Sequence, residues 1–207
     1  MISRAQGKTL SADVVVRKQP KLSTLEKAML KWVVVDPEDR LLDASIGSGM
    51  MAEYLRRNMQ CEVCGVSDNM EHVRQARSRL QNCDIVYAAP GDIPWREGAF
   101  DTVLMKYAGE DTLTMSRVLA EASRVLRPGG QLILGTVYYP ALVHAVAGLL
   151  AEESMEDRHP FRKDEVTEML NSFSFENVTW QRTSLATGVM IAWKRKPEVD
   201  EMRNAGS

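Results

Sequence analysis

Cysteine is scarce. The chain holds 3 in 207 residues, an odd number that cannot pair completely, which excludes a disulfide-stapled scaffold and points to a reducing setting. No apolar run is long enough to span a bilayer and no signal peptide is read at the start, so a soluble, cytoplasmic protein is expected. A charge excess is also missing, because 26 Lys and Arg stand against 28 Asp and Glu for a net charge of −2. That removes the global electrostatic case for nucleic acid or an anionic membrane as partner and leaves room only for a local basic patch. The length is short for two full-sized domains and sufficient for one substantial core. Cys61-x-x-Cys64 has the spacing of a redox or zinc pair, but it lies in a strand-like run rather than at a helix start. Buried small apolar side chains are its expected role, and no metal site is expected.

What is present is organised around Arg40-Leu41-Leu42-Asp43-Ala44-Ser45-Ile46-Gly47-Ser48-Gly49, followed by Met50-Met51-Ala52-Glu53-Tyr54-Leu55. A short apolar run ends in an acid and a small-residue turn, and a helix-like alternation follows, which predicts a strand handing over to a helix. Gly47 and Gly49 permit positive φ and close approach of a ligand, and the N–H groups of the following helix point into the same space. An ordinary tight strand-to-helix turn would also favour glycine there.

Upstream, residues 1–21 form a segment of undecided structure, and Ser23-x-x-Glu26 reads as a capping box opening an amphipathic helix over about 23–34, stopped by Asp36-Pro37. Downstream, Glu62 to Ser67 reads as a second strand, about 69–80 as a polar helix and Ile85 to Ala88 as a third strand. Phe100 to Met105 is a fourth strand, and Val118, Leu119, Ala122, Val125 and Leu126 mark the apolar face of the helix after it. Pro128-Gly129-Gly130 is expected to stop that helix. Gln131 to Val137 reads as a fifth strand, about 141–150 as an apolar helix, and Phe161, Val166, Met169, Leu170 and Phe173 recur at helical spacing. Two last strands, near 176–183 and 189–194, are close enough to form an antiparallel hairpin. Residues 22–196 then make one domain, with a polar tail over 197–207.

Strands alternating with helices predict an α/β, Rossmann-like, doubly wound sheet, mostly parallel and seven-stranded, closed by a C-terminal antiparallel hairpin. Ligands of such sheets sit at the carboxyl ends of the strands where strand order reverses. The loops after the first four strands should therefore converge on one pocket.

Four blocks in this order resemble the class I S-adenosylmethionine-dependent methyltransferases, in particular the type 11, small-molecule-like members. They are Leu41-Leu42-Asp43-x-x-x-Gly47-x-Gly49, Gly65-Val66-Ser67-Asp68, Gly91-Asp92-Ile93-Pro94-Trp95, and Phe100-Asp101-Thr102-Val103 with Arg124-Val125-Leu126-Arg127-Pro128-Gly129-Gly130. The resemblance covers roughly residues 22–195. It implies S-adenosyl-L-methionine as cofactor, a small molecule as methyl acceptor, and a cofactor pocket made by Asp43, Ser45, Gly47, Gly49, Ser67, Asp68, Asp92, Ile93 and Lys106. Asp43 would lie near the amino group of the methionine moiety, Asp92 would accept from the adenine amine with Ile93 packing on the ring, and Lys106 and Tyr107 would face the methyl-transfer side. Turn acids, a turn cap, a surface lysine and a half-buried tyrosine are the alternative readings of these residues.

Two positions depart from the family pattern. Ser45 stands where the first of three alternating glycines is usual, and a side chain there is expected to narrow the floor under the methionine moiety and, at a positive φ, to cost about 1 kcal/mol or more. Ser67 stands where an acid commonly binds both ribose hydroxyls, and Asp68 replaces it only if the chain has left strand geometry. For the chemistry, alignment of the acceptor with the methyl carbon can supply much of the rate, and a base is needed only if the acceptor must lose a proton. Tyr107, Tyr138 and His144 are the candidates for that base, with Glu110 and His159 behind them. Tyr138, Tyr139, Met155 and Phe161 would help the first helix to roof the substrate. A non-catalytic methyltransferase-like binding domain remains an alternative, as does a dinucleotide-binding oxidoreductase, because Gly47-Ser48-Gly49-Met50-Met51-Ala52 also fits G-x-G-x-x-A with Asp68 downstream.

Overall fold

Leu41, Val63, Leu104, Ile133 and Ile191 fall in one buried apolar group, and Leu42, Cys64, Val103, Leu134 and Ala192 fall in another. Neighbouring residues of a strand face opposite sides of a sheet, so the sheet that carries them is covered on both. That double covering is why its central strands read as near-continuous apolar runs rather than as an alternation. The computed structural model describes residues 21–107, 112–137, 161–184 and 187–197.

Its elements in chain order are α1 (Thr24–Leu30), β1 (Arg40–Asp43), α2 (Met50–Met59), β2 (Glu62–Ser67), α3 (Met70–Arg79), β3 (Ile85–Tyr87), β4 (Phe100–Tyr107) and α4 (Thr112–Val125). β5 (Leu126–Val137), α5 (Lys163–Ser172), β6 (Phe175–Arg182) and β7 (Thr187–Lys194) complete the set. The seven strands lie in the order β3-β2-β1-β4-β5-β7-β6. β1 to β5 pair in parallel, and β7 runs antiparallel to both β5 and β6. Strand order reverses at β1 and β4, which places the switch point between them. α1, α2 and α3 bury their apolar residues on the face of Leu41 and Ile133. α4 and α5 bury theirs on the face of Leu42 and Leu134.

Three details differ from the sequence expectation. α1 ends at Leu30 rather than 34, where the Lys31 and Trp32 amides turn back to Ala28 and Met29; the run of β-branched valines that follows is a poor helix former. Pro128-Gly129-Gly130 do not separate α4 from the fifth strand, because β5 starts directly at Leu126 and carries them, the register slipping between the pairs Phe100–Leu126 and Thr102–Gln131. Phe161 is 5% exposed and packs with the α4 and α5 core rather than lining a substrate roof. The expected helix over 141–150, the 1–20 segment and the tail beyond Pro197 lie outside the described residues. Among the described residues no helix is long and apolar enough to cross a membrane.

Candidate functional site

The turn after β1 sits at the switch point and is held from three sides. The Ala44 amide donates to the Leu104 carbonyl at 2.8 Å and the Ile46 amide to the Val66 carbonyl at 3.2 Å. From α3, Arg79 Nε donates to the Ser48 carbonyl at 3.0 Å while its Nη1 pairs with Glu53 at 3.0 Å. Gly47 and Gly49 both have positive φ, 52° and 78°. Their reasons differ. Among the described residues a Cβ on Gly47 would meet only the Ser45 carbonyl, at 3.9 Å, which leaves that side of the turn open to them. A Cβ on Gly49 would come within 3.1 Å of the Ala76 Cα and Leu80 Cδ1, so Gly49 is demanded by the packing of α2 on α3.

Asp43 ends β1 and is wholly buried. Its Oδ1 accepts from the Ser45 amide at 3.1 Å and from the Ser45 hydroxyl at 3.4 Å. Its Oδ2 is buried and accepts no hydrogen bond among the described residues. Burial lifts the carboxyl to about 6, against the opposing pull of Lys106 and the Ser45 bonds. Ser45 is thus a strut: its Oγ also accepts from the Lys106 amide at 2.7 Å, tying the β1 turn to β4. Its φ is not positive, so the strain expected of a side chain here is absent. The Lys106 ammonium itself goes to Glu26 of α1 at 2.6 Å. Glu26 divides its carboxylate, with Oε2 accepting from the Ser23 amide at 2.9 Å to close the capping box.

At the end of β2, Ser67 is 6% exposed and its Oγ accepts from the Asn69 amide at 3.1 Å. Asp68 follows in a bend, outside the strand and exposed, which is the geometry in which it can present its carboxylate at the strand end. Asp92 is exposed. Ile93 is 2% exposed and belongs to the core, so it has no open face with which to cover a ring. The loop it sits in is clasped by α4. Glu121 Oε2 accepts from the Ile93 amide at 2.7 Å, while Arg124 donates to the Ile93 carbonyl at 2.8 Å and the Trp95 carbonyl at 2.7 Å. Glu121 and Arg124 pair with each other at 2.6 Å. Sequence reading missed both as positioning residues, although a Glu three residues before an Arg on one helix is a visible pairing signal.

Tyr107 ends β4, half-buried against the core. Tyr138, His144, Glu110, His159, Tyr139 and Met155 lie outside the described residues. Cys61 and Cys64 are unpaired and buried. Burial pushes both thiols up, that of Cys64 to about 12, which suits structural rather than reactive sulfur. Among the described residues the arrangement therefore offers a buried carboxylate with one unused oxygen, an open space over Gly47, and exposed acids in two neighbouring loops. This set fits a ligand with a cationic amine and a polar nucleoside.

Residues 42–134 match the family described as a methyltransferase domain. The chain is 24% identical over 196 residues to the demethylmenaquinone methyltransferase of Tropheryma whipplei (strain Twist), covering 83% of this chain and 81% of that one. It is 32% identical over 120 residues to the 27-O-demethylrifamycin SV methyltransferase of Amycolatopsis mediterranei (strain S699), covering 55% and 43%. Its fold is shared with the crystal structure of a SAM-dependent methyltransferase from Methanosarcina mazei, at a TM-score of 0.64 and 20% identity, over 79% of this chain and 95% of that one.

Proposed function

We propose that the chain, whose residues 42–134 match a methyltransferase-domain family, uses S-adenosylmethionine to transfer a methyl group to a small-molecule acceptor at the carboxyl edge of β1, β2 and β4. The observation that carries this reading is the conjunction, at the switch point and among the described residues, of a buried Asp43 carboxylate oxygen that accepts no hydrogen bond with open space over a left-handed Gly47. When bound, S-adenosylmethionine supplies an electrophilic methyl on a sulfonium, which a direct displacement moves to the acceptor.

In this reading the residues present the cofactor rather than attack it. Asp43 attracts the α-ammonium, since an acid beside an ammonium forms a charge-assisted pair. Ser45 fixes Asp43 through Oδ1, and Gly47 leaves room for the methionine moiety. Gly49 sets the entry of α2. Asp68 takes the ribose hydroxyls in place of Ser67, which lacks the charge and whose Oγ accepts from the Asn69 amide. Asp92 accepts from the adenine amine, its loop held by Ile93 in the core. The Lys106 backbone and Tyr107 border the acceptor side. Three unpaired cysteines suit a reducing, cytoplasmic compartment.

Calorimetric titration of the full chain with S-adenosylmethionine, S-adenosylhomocysteine and NAD tests the proposal. Binding of the first two without the third is expected; NAD binding alone would move the site to dinucleotide chemistry, and no heat from any of them would remove the cofactor assignment.

A further inference from the structure

Asp43 lies in register with Leu104 of β4, and Leu104 belongs to the apolar group under α1. Lys106, two residues further along β4, leaves the sheet on that same side, diagonal to Asp43. With parallel strands about 4.8 Å apart and a rise of about 3.3 Å per residue, that diagonal spans about 8 Å, within reach of a long side chain. A buried aspartate with an unused oxygen is the natural partner for that ammonium. Lys106 instead gives Nζ to Glu26 at 2.6 Å, and Asp43 Oδ2 is left without a hydrogen bond among the described residues.

Resting on the cofactor assignment above, we propose that Glu26 is a positioning residue: it holds Lys106 away from Asp43, so that the buried carboxylate is kept for the α-ammonium of the cofactor's amino-acid arm. Charge counting supports the arrangement. Asp43 and Glu26 against Lys106 leave one negative charge in a poorly solvated cluster, and one ammonium neutralises it. Glu26 is well placed to compete for the lysine because its carboxylate is already oriented by the α1 N-terminus, where Ser23 holds Oε2 and the helix dipole favours an acid. Burial alone would raise its carboxyl, yet the bonds from Lys106 and Ser23 hold it below the ordinary value, so it stays ionised in its post. α1 thus contributes to cofactor selection without touching the cofactor, by deciding where a neighbouring cation rests.

The experiment compares two thioethers that differ in the arm alone: S-adenosylhomocysteine carries it, and 5′-methylthioadenosine does not. Glu26→Gln keeps the capping box, since Gln serves at that position, but surrenders the charge that restrains Lys106. S-adenosylhomocysteine affinity should fall on the order of tenfold, the scale of one lost charge-assisted bond, with methylthioadenosine affinity unchanged. In a Lys106→Met background the same substitution should change S-adenosylhomocysteine affinity less than about twofold, because the competing cation is gone. Glu26→Asp, which keeps the charge but shortens the reach, gives the same direction should Glu26→Gln not fold. An unchanged S-adenosylhomocysteine affinity, an equal fall for both ligands, or a full effect in the Lys106→Met background overturns the proposal. Absence of S-adenosylhomocysteine binding by the unaltered chain would instead overturn the cofactor assignment beneath it.

Discussion

At the scale of single residues the site is dominated by Asp43, whose burial lifts its carboxyl from 3.8 to about 6 although Lys106 and Ser45 act the other way. The folded chain holds this proton more tightly than the unfolded chain does. The contribution to stability is therefore fully present below about pH 4 and is lost as pH rises through about 6, amounting to roughly 3 kcal/mol at neutral pH. Asp43→Asn should raise the melting temperature at pH 7, by a gain of about 1–3 kcal/mol, and flatten the dependence of stability on pH between 4 and 6. The same variant should lose S-adenosylhomocysteine binding. Thermal melts across that range, read beside a titration at pH 7, check both halves, and a destabilised variant at pH 7 would contradict the buried-charge account. Ser45 belongs to the same scale. In sequence it looks like a glycine lost from a motif, whereas in the fold its hydroxyl bonds the Lys106 amide and Asp43. That bond crosses 61 residues of chain, which is why no local reading could find it.

At the scale of elements, α4 works as a clasp. Its Glu121 and Arg124 make three bonds to the backbone of the loop between β3 and β4, the loop that carries Asp92. A loop so held needs little ordering when a ligand arrives, and ordering costs binding energy. Arg124→Ala frees two carbonyls and unpairs Glu121, at a cost of about 1–3 kcal/mol in stability. Cofactor affinity should fall several-fold through Asp92 alone. The informative comparison is the Arg124→Ala effect in wild type against that in an Asp92→Ala background: a smaller affinity loss in the second places the effect in the loop, and equal losses would assign it elsewhere. The signals for the helices themselves were local. Ser23 and Glu26 announced the α1 start, and the structure closes that capping box as read. Helix ends were less legible, because what stops α1 early is the turn into the valine run rather than Asp36-Pro37.

At the scale of the whole molecule, two apolar layers share one sheet, and the site lies where the loops over both layers meet. A ligand that binds there binds the folded chain alone, so it stabilises by mass action: at a hundredfold excess over its dissociation constant the gain is about 2.7 kcal/mol. For a domain of this size each kcal/mol is worth about 2–4 °C. Saturating S-adenosylhomocysteine should thus raise the melting temperature by roughly 5–10 °C, and NAD at the same concentration should leave it in place. A shift with NAD and none with S-adenosylhomocysteine would reverse the assignment of the switch-point pocket.

The alternation of strands and helices, the α/β class, the turn at Gly47 and the closing hairpin are all legible in the chain, because each of these rests on periodicity, capping or turn chemistry within a few residues. It also exposed the order of the four blocks, and with it the expected cofactor. Folding in three dimensions is what slots β7 between β5 and β6, turns Ile93 to the core, and leaves Asp68 rather than Ser67 clear of its strand. Pairing partners and exposure depend on residues far apart in the chain, and nothing in a local pattern encodes them. The same holds for the meeting of Glu26 and Lys106, 80 residues apart. A capping glutamate and a strand-end lysine are each unremarkable in sequence, and it is the docking of α1 over the sheet that turns the two into the guard of a buried carboxylate.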